Sequence, residues 1–304
     1  MSLRPCPEPY PHWLCRDPLS GDELRLVPER GGLVTGWRCG GREILYLDKE
    51  RFADPTSSVR GGIPVLFPIC GNLPGNVLSL PQGRFELTQH GFARDLPWSL
   101  APLDAPHSSD SADPSSATAS SPTGVRLELA DTPDTREHFP FPFALVMEMV
   151  LEPSALAITA RLTHRGEPGA AASLPFSFGL HPYFAVGDPA SVRLEGLPPR
   201  CLDHRTMEPA ATADQLGRLA QGVDFLCGPC GPVRLVDPAS GVTLTLESRS
   251  PLDLVVVWTD PPRPMVCLEP WTGPRGSLVS GERRLELAPG ATMELSCRYT
   301  VSAA

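Results

Sequence analysis

Apolar and polar residues alternate with a period of two along much of the chain, which predicts half-buried β-strands rather than helices. Residues 125–129 (Val-Arg-Leu-Glu-Leu) alternate cleanly, and 156–162 do so with small residues between. Segments 233–236 and 242–246 flank the turn-rich stretch Asp237-Pro238-Ala239-Ser240-Gly241, a predicted hairpin. Segments 285–287 and 293–295 flank Ala288-Pro289-Gly290-Ala291 and predict a second one. Residues 252–258 form an apolar run broken only by Asp253, as in a strand buried on both faces. Helical periodicity with caps is nearly absent, and its best candidate, 213–219, is short. The pattern predicts an all-β fold, a large antiparallel β-sandwich.

Residues 101–123 break the pattern. They are rich in Ser, Ala, Pro and Asp, contain no aromatic residue, and cannot bury enough surface to order themselves. Strand patterns continue on both sides, so this stretch is expected to be a disordered loop inserted into a single domain spanning 1–304. No internal repeat of fixed period is present.

Composition supports this picture. The chain has 37 prolines and 27 glycines, well above the combined share of roughly 12% in ordinary domains, which leaves little room for long helices. A hydrophobic content of 41% is enough for a sizeable core. The net charge of −9 argues against a nucleic-acid partner, but a local site can oppose the global sign. Nothing approaches the roughly 20 apolar residues of a membrane span, and residues 1–10, with three prolines, carry no signal-peptide pattern. Nine scattered cysteines without such a signal predict reduced thiols and a cytosolic location. Lys49 is the sole lysine beside 25 arginines, so an arginine at any one position says little by itself.

Candidate chemistry lies in three regions. Residues 60–68 (Arg-Gly-Gly-Ile-Pro-Val-Leu-Phe-Pro) precede Gln89-His90-Gly91-Phe92-Ala93-Arg94; 179–184 read Gly-Leu-His-Pro-Tyr-Phe; and 267–272 read Cys-Leu-Glu-Pro-Trp-Thr. Each sets polar or titratable side chains beside prolines, glycines and aromatics. Prolines and glycines shape an irregular backbone, and aromatic faces stack on sugars. His90 and His181 titrate near neutrality and Glu269 is a potential base, the groups a polyol's ring opening needs. Any one of these histidines taken alone is more often a satisfied core residue. The Arg60-Gly61-Gly62 run is a weak phosphate cradle, since no helix pattern follows it.

Together the blocks 60–68, 89–94, 179–184 and 266–271 resemble the aldose 1-epimerase (galactose mutarotase-like) superfamily, near its glucose-6-phosphate 1-epimerase branch. The resemblance implies a β-supersandwich and a cofactor-free, metal-free isomerase interconverting the anomers of a hexose or hexose 6-phosphate. It implies Glu269 as general base at the anomeric hydroxyl, His181 as general acid at the ring oxygen, and His90 as a hydrogen-bond partner near that oxygen. It assigns substrate binding to Arg60, Gln89 and Arg94, the two arginines being suited to a phosphate, and matches Asp203 to an acidic residue that binds sugar hydroxyls. Residues 69–73 and 269–274 differ from the phosphate-specific pattern, which keeps the free hexose open as substrate. The oligomeric state is left open as well.

Two rival functions follow from other features. A non-catalytic carbohydrate-binding protein on the same scaffold would keep the aromatics without needing His90, His181 and Glu269. Cys227-Gly228-Pro229-Cys230 has the spacing of a thiol oxidoreductase, but Gly231-Pro232 and a strand follow it where that motif needs a helix. Zinc would need two further ligands at matching spacing. His12, His107, His138, His164 and His204 sit in loop-like or strand-edge contexts and attract no role. Trp13, Trp37 and Trp98 are expected to pack in or beside the core.

Overall fold

The alternating segments become the strands of two large sheets. Phe143–Glu152 and Ala155–His164 each bury alternate residues on one face, and with Thr292–Ala303 they form the middle of an eight-stranded antiparallel sheet. Val233–Asp237 and Val242–Ser248 extend it as the predicted hairpin. A computed structural model describes residues 2–103, 123–169 and 172–304. Ser99–Pro102 and Thr123–Ala130 close the other edge as antiparallel neighbours, Pro102 facing Val125. Strand structure therefore takes in both ends of the expected loop; residues 104–122, His107 among them, lie outside the described residues.

The second predicted hairpin does not form. Leu285–Leu287 pairs with Leu174–Phe176, while Thr292–Ala303 crosses into the large sheet between Ala155–His164 and Val242–Ser248. Residues 288–291 do form a turn, the Ala291 N–H donating to the Ala288 carbonyl at 3.0 Å, but the strands on its two sides pair elsewhere. The predicted helix near 213–219 is a single short one, Thr212–Leu216. Among the described residues, no helix is long and apolar enough to cross a membrane.

The second large sheet runs Glu208–Ala211, Arg200–Asp203, Asp224–Cys227, Leu254–Trp258, Met265–Trp271, Gly179–Leu180 and Val65–Leu66, with Tyr183–Ala185 also paired to Met265–Trp271. Five strands from Ser2–Cys6 to Arg42–Glu43 make a separate sheet in chain order. One continuous apolar cluster joins Cys15 and Trp37 of that sheet to Leu127, Leu268 and Tyr299 of the others.

The β pleat sorts side chains between the core and the opposite face. Val255, Val257, Val266 and Leu268 enter the continuous core, where the buried Tyr299 hydroxyl donates to the Leu268 carbonyl at 3.0 Å and ties the two large sheets together. Their neighbours Leu254, Val256 and Trp271 belong to a smaller cluster on the other side, with Trp258 packed against it. Because Leu254–Trp258 is covered on both sides, its sequence is a continuous apolar run.

Candidate active site

On the face turned away from the sandwich core, a cleft of about 240 Å³ opens above three adjacent strands. Asp224–Cys227 contributes Asp224, Leu254–Trp258 contributes Val256 and Trp258, and Met265–Trp271 contributes Glu269 and Trp271. His181 and Tyr183 join them because their backbone N–H groups donate to the carbonyls of Pro64 and Gly62, both at 2.9 Å. This zippering brings the Arg60 segment to the cleft wall. Two glycines in these blocks are structural requirements. A Cβ on Gly61, whose φ is +143°, would lie 2.5 Å from the Leu47 Cα, and one on Gly179 would lie 2.7 Å from the Trp271 ring.

His181 Nε2 and Glu269 Oε1 face each other at 3.5 Å in the floor of the cleft. Glu269 is 1% exposed, and its other oxygen, Oε2, accepts from the Trp271 indole N–H at 3.1 Å. Burial, reinforced by the charge of Asp224, pushes the Glu269 carboxyl well above its usual range, against the opposing pull of Trp271 and Arg275. Burial and then the charges of Arg94 and Arg60 pull the His181 imidazole down to about 3. The two shifts run in opposite directions, each toward the uncharged form of its group. His181 stacks on Tyr183 at 4.7 Å and meets Trp258 edge-on, which fixes its ring plane.

His90 packs against His181 and Trp271, with ring centroids 5.8 and 5.7 Å away. The Gly71 N–H donates to its Nδ1 at 3.1 Å, so the neutral ring carries its proton on Nε2. Gln89 Nε2 stands 3.3 Å from His90 Nε2; with the ring proton on that nitrogen, the Gln89 amide accepts it only when flipped so that its oxygen faces the ring. Burial, then the charges of His181, Arg94 and Arg275, hold the His90 pKa well below the ordinary histidine value. Arg94 donates to the Gln89 carbonyl at 2.8 Å. Its Nε is buried with no hydrogen-bond partner among the described residues. Arg60 lies over the Trp258 ring at 5.6 Å with Asp260 at 3.7 Å. Arg60, Gln89, His90, Arg94, His181 and Glu269 are thus all gathered around one cavity.

Asp203 is not among them. It stands opposite Phe225 in the strand register, and Phe225 points into the core, so Asp203 shares that face rather than the cleft face. There it accepts from Gln215 Nε2 and the Arg205 N–H, both at 2.9 Å. The acid in the cleft is Asp224, on the next strand. Its Oδ1 accepts from His204 Nδ1 at 2.8 Å and its Oδ2 from Arg275 at 2.9 Å. Burial raises the Asp224 pKa, but the bonds and charges of His204 and Arg275 outweigh it and leave the carboxyl below its usual range. Asp224, Arg275, Trp258 and the supporting His204 were not assigned from sequence. Arg275 falls just past the 266–271 block, and Asp224, Trp258 and His204 lie outside all four blocks. The one available signal was phase: Asp224 alternates with the core residues Phe225 and Cys227.

His181, Cys267 and Glu269 place one potential ligand atom each within 4.8 Å of the others. Burial drives the Cys267 thiol and the Glu269 carboxyl toward their protonated forms, and Arg60 and Arg94 face the same space, so the set is poorly suited to a cation. Cys227 is buried on its strand with its thiol pushed up to about 12, whereas a redox-active thiol needs a depressed pKa. Cys230 is exposed in the loop beyond.

Comparison with known proteins bears on the family and the fold. The sequence model of the aldose 1-epimerase family matches residues 25–300. A crystal structure of a protein from Synechocystis sp. PCC 6803 is 34% identical, covers 100% of this chain and 99% of its own, and superposes with a TM-score of 0.85. A galactose mutarotase-like protein from Lactobacillus casei ATCC 334 shares the fold, with a TM-score of 0.73 at 19% identity over 96% of this chain and 100% of its own. A Cenchrus ciliaris protein, provisionally named a glucose-6-phosphate 1-epimerase, is 32% identical over 169 residues, 55% of this chain and 45% of its own length. The chain spans about half the length of the curated relatives it matches.

Proposed function

The chain belongs to the aldose 1-epimerase family, and from that premise we propose that it interconverts the α and β anomers of a hexose 6-phosphate by acid–base ring opening and closure. The observation that carries this reading is the buried His181–Glu269 pair, 3.5 Å apart in a cleft walled by arginines. Ring opening removes a proton from the anomeric hydroxyl and delivers one to the ring oxygen. The two oxygens share one carbon, so two groups this close can address both. A pair holding a single proton suffices, because one partner takes what the other gives.

In the reactive arrangement Glu269 is the carboxylate base and His181 the imidazolium acid; on reclosure they exchange roles. His90 Nε2–H steadies the ring oxygen, Gln89 and Asp224 take hydroxyls, and Arg60 and Arg94 take the phosphate. Phosphate also has an electrostatic consequence. It offsets the two guanidinium charges that, after burial, lower the His181 pKa, and so favours the imidazolium that the acid role needs. That favours the phosphorylated sugar over the free hexose. Both transfers are of protons and call for no metal or nucleotide. The continuous core supports 1–304 as one working unit, and a cytosolic location suits its cysteines.

Polarimetry of fresh α-D-glucose, beside a coupled anomer-specific assay for glucose 6-phosphate, tests this. Acceleration of the phosphate reaction, abolished by Glu269→Gln and selectively weakened by Arg60→Ala, is the expected result. Acceleration of free glucose alone removes the phosphate assignment. If neither glucose, glucose 6-phosphate nor galactose responds, the chain is a sugar-binding module instead.

A further inference from the structure

His204 lies behind the cleft rather than on its lining, yet it touches both halves of the site. Its Nδ1–H donates to Asp224 Oδ1 at 2.8 Å, and its backbone N–H donates to the Asp224 carbonyl at 2.9 Å. Its ring lies on Trp271, centroids 5.9 Å apart and planes 27° from parallel. Trp271 in turn holds Glu269 through its indole N–H, and His90 stands edge-on to the same indole. One imidazole therefore fixes the cleft carboxylate with its edge and the support of the base with its face.

We propose that His204 is a positioning residue that holds Asp224 and Glu269 in one fixed relation, so that a sugar gripped by its hydroxyls presents its anomeric carbon to the base. The proposal rests on the acid–base reading above. Its two contacts are separable. With the proton on Nδ1, the buried Nε2 is a lone pair with no hydrogen-bond partner among the described residues. A phenyl ring in its place keeps the face on Trp271 and loses only the bond to Asp224. An asparagine keeps an N–H near the Nδ1 position and loses the face.

The test compares kcat and KM for glucose 6-phosphate in the wild type, His204→Phe and His204→Asn, with thermal melts confirming folding. His204→Phe is expected to raise KM by about tenfold with kcat within about threefold, the loss of one charge-assisted bond to a binding group. His204→Asn is expected to do the opposite, lowering kcat by about tenfold with KM within about threefold, because the base loses its backing. Opposite splits establish the role. Variants that shift kcat and KM alike, that shift neither, or that both fail to fold overturn it and leave His204 a packing residue. An inactive wild type would instead remove the catalytic reading itself, and that result is seen before either variant is made.

Discussion

At the level of single residues, the site is built on groups whose pKa values are shifted from the ordinary ones, and each shift makes stability depend on pH. Glu269 has a carboxyl raised well above 4.5 by burial. Above about pH 4.5 the unfolded chain sheds this proton before the folded one does, so its contribution to stability falls as pH rises. Glu269→Gln does not titrate. It is expected to lose activity by about 10²- to 10⁴-fold, yet to melt above the wild type at pH 8, with the gap closing toward pH 4.5. Melting curves at several pH values check this; a gap that does not change with pH refutes it. His181 has the opposite sign. Its pKa falls from 6.5 to about 3, so its contribution is complete above pH 6.5 and is lost as pH falls from there toward about 3. His181→Asn is expected to show a shallower decline in melting temperature over that interval. These two residues were legible because each sits in a block of glycine, proline and aromatics that breaks the strand alternation. Asp224 was illegible because one acid at the start of a strand looks like any edge residue. Asp203 was chosen in its place, and nothing in the linear sequence shows that it sits opposite Phe225 and so faces the core.

At the level of elements, the strand Met265–Trp271 does two jobs through its pleat: Val266 and Leu268 bind the sandwich, while Glu269 and Trp271 face the substrate side. Alternation was enough to predict strands and the buried character of 252–258. It was not enough to predict partners. The 285–295 stretch has the composition of a hairpin, but Thr292–Ala303 gains more burial by running between Ala155–His164 and Val242–Ser248. Pairing over such sequence separations depends on packing that no local window contains. The same strand supplies Tyr299, whose hydroxyl meets the Leu268 carbonyl one residue before the base. Tyr299→Phe removes that bond with little change of shape. It is expected to destabilise the protein by about 1 kcal/mol, measured by urea denaturation. Its effect on kcat should be smaller than that of Glu269→Gln, because the ladder with Leu254–Trp258 still holds the strand in register.

At the level of the whole molecule, charge and architecture divide the work. A chain of net charge −9 collects Arg60, Arg94 and Arg275 around one cleft, so the substrate side has the sign its surroundings lack. The cleft side chains come from residues 58 to 275, and all of them stand on one sheet or on loops at its edge. The edge formed by Ser99–Pro102 and Thr123–Ala130 belongs to the other sheet. Its pairing runs up to Pro102 and Val125, and the Leu103 N–H donates to the Gly124 carbonyl at 3.1 Å, so the chain is already reversing there. With Asn-Gly in place of 104–122, three residues (Asn, Gly and Thr123) join Leu103 to Gly124, a loop length common between adjacent antiparallel strands. Shortening the connection between two paired strands also lowers the entropic cost of bringing them together, by an amount that grows only slowly with the length removed. The shortened protein is therefore expected to retain its kcat and KM and to melt at or slightly above the temperature of the full chain. Side-by-side kinetics and calorimetry check this. A loss of activity at unchanged stability would give residues 104–122 a part in the reaction that no residue of the cleft requires.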